Sequence, residues 1–372
     1  MNSAEREIRA LLDEAGVDPG GGNPWDIQVH NPDFYPRVLA GGALALGESY
    51  MDSWWGCEDL AGMFERVTRA GLQKKLRPES LIFPYLAARL MNLQSRRRSW
   101  QVARQHYDLG NDLYEAMLDP YMQYTSAYWK GADNLADAQR NKLDLTCRKL
   151  QLRPGMRVLD TGCGFGGFAK YAAQHHGVEV YGVTLSKEQA AFGNKLCKGL
   201  PVRIEVQDYR DITEANFDRV ASIGMMEHVG TKNYRPYLQQ MSRCLKDDGL
   251  MVLHCIGSEV TGKVSNRWIE KYIFPNSILP SAVELTTAAE GVLVLEDWHN
   301  FGASYAKTLL AWHANCEAAW DRLPADRYDE RFRRMWRYYL LSCSGAFASR
   351  SIQLWQLVLS KNGLAGGYDA PR

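Results

Sequence analysis

Apolar positions along this chain follow two periods, and the period changes near residue 156. Before that point the spacing is helical. Ile8, Leu11, Leu12 and Ala15 recur at three and four, which predicts an amphipathic helix over 4–15 that stops at Gly16. Leu60, Met63, Phe64 and Val67 predict another over 59–70, and Ser80 to Leu93 predicts a third, kinked at Pro84. The glycine-rich turn 20–22 leads into a short strand at Ile27-Gln28-Val29. Leu113, Tyr114 and Met117 form the buried face of a further helix, and 133–150 reads as a long one.

From residue 156 short apolar runs alternate with helical stretches. Strands are predicted at 156–160, 178–184, 202–206, 218–224 and 250–256, with helices at 167–175, 187–197 and 232–246. Such alternation predicts an α/β fold, an open and mostly parallel sheet covered on both faces, with ligands beyond the carboxyl ends of its strands. The region 264–348, with Trp268, Trp298, Trp312, Trp320 and Trp336, predicts helices walling that edge, and 352–359 predicts a last strand. The division expected is a small, mainly helical domain over 1–94, a basic linker over 95–103 and a larger domain over 104–372.

Composition narrows the classes. A net charge of +1 argues against a nucleic-acid binder. The eight cysteines are scattered without a C-x-x-C pair, which predicts reduced thiols and neither a disulfide framework nor a metal site. The start, Met-Asn-Ser-Ala-Glu-Arg-Glu, lacks the apolar segment of a secretory leader. No run approaches the length of a membrane span. Local charge is less even: Lys74, Lys75, Arg77, Arg89, Arg96, Arg97, Arg98 and Arg104 face one acid, Glu79, across that interval. These flank Leu81, Ile82, Phe83, Leu86, Leu90, Met91 and Leu93. Basic charge beside an apolar helical face suits an anionic phospholipid surface; a packed helix followed by a solvated linker is the other reading.

The chemistry is organised around Val158-Leu159-Asp160-Thr161-Gly162-Cys163-Gly164-Phe165-Gly166-Gly167. An apolar strand, a glycine turn and a helix bring backbone N–H groups to a nucleotide-like ligand. Gly162, Gly164 and Gly167 fit the dinucleotide spacing, while Asp-x-Gly-x-Gly-x-Gly fits S-adenosylmethionine (SAM) methyltransferases. A dinucleotide enzyme carries an acid about 20 residues on, after the second strand. Here that strand ends in Thr184-Leu185-Ser186, which favours SAM and leaves NAD as the alternative. Five polar clusters fall at or beside carboxyl ends of predicted strands: 184–189, 207–211, 224–229, 254–258 and 302–305.

Together Asp-Thr-Gly-Cys-Gly-Phe-Gly-Gly (160–167), Gly-Val-Thr-Leu-Ser-Lys-Glu-Gln (182–189), Gln-Asp-Tyr-Arg-Asp (207–211) and Glu-His-Val-Gly (227–230) resemble the cyclopropane-fatty-acyl-phospholipid synthases, a family that includes the mycolic-acid cyclopropane synthases. The likeness extends to 106–113, 271–276, 296–302 and 345–350, and to Gly-Glu-Ser-Tyr-Met-Asp-Ser-Trp-Trp (47–55). It implies a class I SAM-methyltransferase fold, Rossmann-like, with helical insertions. It implies transfer of a methylene group from SAM to a cis double bond of a phospholipid acyl chain, with bicarbonate as the base.

By resemblance the bicarbonate ligands fall on Glu227, His254, the Ile256 amide and Tyr305. Ser126 stands where the phospholipid-acting branch has a cysteine. SAM contacts fall on Tyr124, Thr125, Asp160, Gly162, Cys163, Gly164, Gly166, Thr184, Leu185, Gln189, Asp208 and Tyr209. Cys343 matches a cysteine long suspected as catalytic in the family, although alkene methylation has no need of a nucleophilic sulfur and a structural thiol fits equally. His228 reads as a packing residue. The resemblance further implies a homodimer, attached peripherally to the cytoplasmic face of a membrane. A fatty-acid methyltransferase of the same fold and a non-catalytic lipid-binding relic are the remaining alternatives.

Overall fold

The computed structural model describes residues 2–75, 110–262 and 266–372. The helix expected at 80–93, the linker 95–103 and most of the basic segment lie outside the described residues. The chain folds as two compact units. The first joins Met1–Asn92 to Val264–Pro275 and Tyr305–Ile352; the second comprises Leu93–Lys263, Asn276–Ser304 and Gln353–Arg372.

This partition differs from the single boundary expected at 94–104, because two late segments pack with the N-terminal helices. Helix Glu330–Ala348 lies against helix Leu60–Arg69, which is capped by the Asp59 carboxylate accepting the Gly62 N–H. Gly345 makes the approach possible: a Cβ there would stand 2.6 Å from the Ala61 carbonyl oxygen. Trp268, wholly buried, fills the space over Gly47 and meets the Tyr338 ring at 4.5 Å. Arg334 donates to the carbonyls of Tyr50 and Trp55.

Gly47 belongs to helix Phe34–Met51, which the sequence pattern does not predict. Pro36, Gly41, Gly42 and Gly47 read as breakers, yet Pro36 falls in the first turn, where its missing N–H is harmless, and Gly42 absorbs a kink at φ 57°. Strands β1 (Gln28–Val29) and β2 (Trp55–Gly56) pair antiparallel in the same unit.

Among the described residues the second unit holds a seven-stranded sheet. Its strands are β3 (Arg157–Thr161), β4 (Glu179–Thr184), β5 (Val202–Val206), β6 (Phe217–Ile223), β7 (Leu245–Ser258), β8 (Val294–Asn300) and β9 (Ile352–Ser360). Their order is β5-β4-β3-β6-β7-β9-β8. The first five run parallel and β8 runs antiparallel to β9. The chain moves outward through β4 and β5, then returns to the other side of β3. The direction therefore switches between β3 and β6, the place where an open α/β sheet leaves a crevice.

Both faces are covered. Val158 and Leu159 are successive, so they point oppositely: Val158 packs with Leu143, Phe168 and Val252, and Leu159 with Tyr237, Met241 and Leu253. The expected strands are all present within a few residues. β7 starts earlier, at Leu245, and β8 occupies part of the region expected to be helical. Its exposed Val294 and Leu295 hide the strand character, which comes from pairing with β9.

Candidate active site

β3 ends in a turn whose geometry only glycine meets without strain. Gly162, Gly164 and Gly166 have φ of 72°, 53° and 79°. A Cβ on Gly166 would lie 2.6 Å from Ile204 Cδ1, and one on Gly162 2.9 Å from Met225 Sδ. At Gly164 a Cβ meets nothing within 4 Å, so that face of the turn is open. The N–H groups of Gly162 and Cys163 both donate to the Val183 carbonyl, which ties the turn to β4.

Parallel register brings the other clusters to the same edge. Thr161 pairs with Val183 and Thr184 with Val206, so 160–166, 184–189 and 207–209 follow adjacent strand ends. Thr184 donates to Gln189 Oε1 at 2.9 Å, and Ser186 caps the helix Lys187–Leu196; Leu185 lies between them. Asp208, buried, accepts from the Arg210 amide at 3.0 Å and guanidinium at 3.2 Å. The Tyr209 ring meets Tyr237 edge-on at 4.9 Å, and Tyr237 shares its hydroxyl with Thr161 at 2.7 Å.

Below this turn lies a buried polar group that the sequence pattern did not single out. Lys142, on helix Leu135–Lys149, is wholly enclosed; its ammonium donates to Gln123 Oε1 and to Thr125 Oγ1. Gln139, one turn earlier, donates to the carbonyls of Gln123 and Thr125. The segment 123–126 is thereby pinned, with Tyr124 edge-on to Tyr114 at 5.2 Å. Burial lowers Lys142 to about 7 against the pull of Asp119 and Asp160. Burial also raises the Asp160 carboxyl to about 7, opposed by Lys142. One signal was readable: Gln139 and Lys142 sit three apart in the inward phase of the helix with Leu135, Ala138 and Leu143.

A second centre lies at the ends of β6 and β7. Gly224, at φ 71°, turns the chain after β6 and donates to the His254 carbonyl. The short helix Met226–Val229 then carries Glu227 back to β7, where Oε1 accepts the Ile256 N–H at 2.7 Å. Glu227 Oε2 is buried and finds no partner among the described residues. Burial raises this carboxyl to about 7, and the Ile256 bond only partly opposes it.

His254, two residues before Ile256, shares its side of the strand. Burial, with the charges of Lys142 and Lys149, pushes its ring well below the ordinary value, so it is neutral. Its Nδ1 stands 3.2 Å from Gln356 Nε2, and its Nε2 is enclosed without a partner among the described residues. The Phe301 ring packs edge-on against it at 5.7 Å. The unit thus holds an acid poised near neutrality and a neutral imidazole, each with one buried polar atom that has no partner among the described residues. A protonated carboxyl and a neutral imidazole can each donate one hydrogen bond to an anion.

The remaining residues differ in placement. Ser126 is wholly buried and donates to the Ala127 carbonyl at 3.0 Å; the Ile256 amide is engaged by Glu227. His228 is neutral, lowered to about 4 by burial. Tyr305 and Cys343 belong to the first unit. Tyr305 stacks on Phe347 at 4.5 Å and meets Trp312 edge-on at 5.9 Å. Burial pushes the Cys343 thiol up to about 12, and a thiol that stays protonated is a poor nucleophile. Among the described residues no three His, Cys, Asp or Glu side chains are grouped as metal ligands.

Comparison with known proteins bears on this arrangement. The family model described as mycolic acid cyclopropane synthetase matches residues 94–357. A cyclopropane-fatty-acyl-phospholipid synthase of Escherichia coli (strain K12) is 53% identical over 364 residues, 96% of this chain and 94% of that protein. A probable fatty acid methyltransferase of Pseudomonas putida is 37% identical over 278 residues, 72% of this chain and 70% of that one. Among solved structures, the mycolic acid cyclopropane synthase CmaA1 complexed with SAH and CTAB superposes with a TM-score of 0.65 at 30% identity, covering 70% of this chain and 98% of that chain.

Proposed function

The chain belongs to the mycolic acid cyclopropane synthetase family of SAM-dependent enzymes, and from that premise we propose that it converts the cis double bond of an unsaturated phospholipid acyl chain into a cyclopropane. The observation that carries the chemistry is the buried pair at β6 and β7: Glu227 pinned by the Ile256 amide with Oε2 uncommitted, and neutral His254 with Nε2 uncommitted.

SAM is bound along the open glycine turn. Gly162, Cys163, Gly164 and Gly166 admit its backbone-facing groups, Asp160, Tyr124 and Thr125 line the start of the crevice, and Thr184, Leu185, Gln189, Asp208 and Tyr209 receive the nucleoside. Lys142 and Gln139 hold the 123–126 segment in place for this. The alkene π electrons attack the sulfonium methyl carbon and the carbon–sulfur bond breaks, releasing S-adenosylhomocysteine. The resulting cation loses one proton from the transferred carbon, and the freed electron pair closes the ring. Burial of Glu227 and His254 serves this step, because water would trap the cation.

The residues present suit bicarbonate. Glu227, whose carboxyl burial raises to about 7 and so leaves partly protonated at neutral pH, and neutral His254 each offer an enclosed donor. The family resemblance also names Tyr305, which belongs to the first unit, and Ser126 and the Ile256 amide, whose hydrogens are given to the Ala127 carbonyl and to Glu227. When bound there, bicarbonate supplies the base for the departing proton. The polar donors hold and orient an anion; they do not themselves need to accept the proton.

Delivery of the lipid is assigned to the basic segment Lys74–Arg104 with its apolar neighbours, acting at the cytoplasmic face of a membrane as part of a peripheral homodimer. No helix among the described residues is long and apolar enough to cross a bilayer. The likeness to a probable fatty acid methyltransferase keeps one rival reading, since the two outcomes diverge only after methyl transfer. Incubation of the purified protein with methyl-labelled SAM and vesicles of unsaturated phospholipid tests the proposal. Acyl chains heavier by one labelled methylene, without the alkene, support it; a branched methyl product supports the rival.

A further inference from the structure

Gln356, on β9, is fully buried, and its side-chain nitrogen stands 3.1 Å from Thr146 Oγ1 and 3.2 Å from His254 Nδ1. Thr146 in turn donates to the Lys142 carbonyl at 2.8 Å, one turn back along its helix. A hydroxyl has one hydrogen, and this one is committed. Thr146 Oγ1 can then only accept from Gln356, so the group facing it is the NH2. The second hydrogen of that NH2 points at His254 Nδ1. The opposite amide orientation would enclose two N–H groups where now a single carbonyl oxygen, Gln356 Oε1, lacks a partner among the described residues. Enclosed N–H groups without partners are the rarer and costlier state.

His254 Nδ1 is therefore an acceptor. The ring is neutral, so its one N–H hydrogen resides on Nε2, the enclosed nitrogen without a partner among the described residues. We propose that Gln356, itself oriented by Thr146, is a positioning residue that locks neutral His254 in the Nε2–H tautomer, so that the ring presents a donor to an oxygen anion held with Glu227. The inference rests on the reading of His254 as an anion-holding residue. It adds the device that gives the imidazole its direction: a chain of hydrogen bonds from the helix Leu135–Lys149 through β9 to β7. The other tautomer would turn a lone pair toward the anion and repel it. For histidines that ligate metals, loss of the outer hydrogen-bond partner costs about 10- to 100-fold in affinity or activity, and the same scale is expected here.

Nitrogen-15 NMR of the histidine-labelled full-length protein tests it, with His254 assigned by the signals lost in His254→Gln. The wild type should show hydrogen on Nε2 and a bare Nδ1. In Gln356→Glu a carboxylate accepts only, so the tautomer should reverse and turnover should fall at least about tenfold while the SAM dissociation constant stays unchanged. In Gln356→Met both tautomers should appear, with a smaller loss. A wild-type ring protonated on Nδ1, or doubly protonated, overturns the proposal even if both variants fail to fold. Tautomer reversal with undiminished turnover also overturns it. If His254→Gln itself keeps full turnover while the wild-type tautomer is as stated, it is the anion-holding reading that fails, and the two failures are distinct.

Discussion

Glu227 Oε1 accepts the Ile256 amide at 2.7 Å while Oε2 of the same carboxyl, equally buried, finds no partner among the described residues. One oxygen fixes the side chain, and the other is the atom assigned to the anion in the proposed function. Glu227→Gln keeps the amide acceptor and the shape but cannot offer the same acid. Turnover should fall by about 10- to 100-fold, the loss expected when a hydrogen bond to a charged group is weakened, with SAM affinity measured by calorimetry within about twofold of wild type. Undiminished turnover would remove Glu227 from the site.

The same carboxyl leaves a mark on stability. Its folded value is raised from 4.5 to about 7, so between those limits the folded state binds the proton more tightly than the unfolded state. This contribution is fully present below pH 4.5 and is lost as pH rises through about 7. Wild type should therefore lose stability relative to Glu227→Gln across that window, by about 3 kcal/mol in all. Urea unfolding of both proteins at a series of pH values checks the slope; parallel curves would contradict it.

Gly164 separates backbone strain from ligand contact. Gly164 and Gly155 both have positive φ, and a Cβ on either meets nothing within 4 Å. Alanine at each should cost about 1 kcal/mol of stability through the left-handed conformation. Only Gly164→Ala should also weaken SAM, by at least about tenfold, because only that turn is assigned to the ligand in the proposed function. Equal SAM affinity in the two variants, followed by calorimetry, would move the cofactor elsewhere.

Arg96, Arg97 and Arg98 carry the claim about the lipid surface. Each arginine near an anionic membrane contributes about 1 kcal/mol, so replacing all three by Gln should weaken binding to anionic vesicles by about 100-fold. SAM affinity should not change, and the wild-type binding should fall with added salt. Vesicle co-sedimentation at two ionic strengths measures both effects.

The parts of this fold that were legible in the sequence are those where local pattern and burial agree. The strands from Arg157 to Ser258 are apolar because both faces of the sheet are covered, and the turn after β3 needs glycine for its backbone. Glu227 and His254 were legible as polar residues ending apolar strands. What was not legible depends on partners distant in sequence. Helix Phe34–Met51 contains Gly47 because Trp268 packs there, and Gly345 is set by Ala61. β8 becomes a strand by pairing with β9. Lys142 and Gln356 looked like ordinary polar residues, since their meaning comes from Thr125, Thr146 and His254, which only the folded sheet brings to them.

The central claim is that the transferred carbon loses one hydrogen and becomes part of a ring. The measurement that tests it most directly uses SAM bearing a trideuterated methyl group, with unsaturated phospholipid vesicles and the full-length protein. Proton and deuterium NMR of the recovered acyl chains should show a cyclopropane whose methylene retains two of the three deuterons, with the alkene protons gone. A chain methyl that keeps all three deuterons, with no ring, would contradict the account.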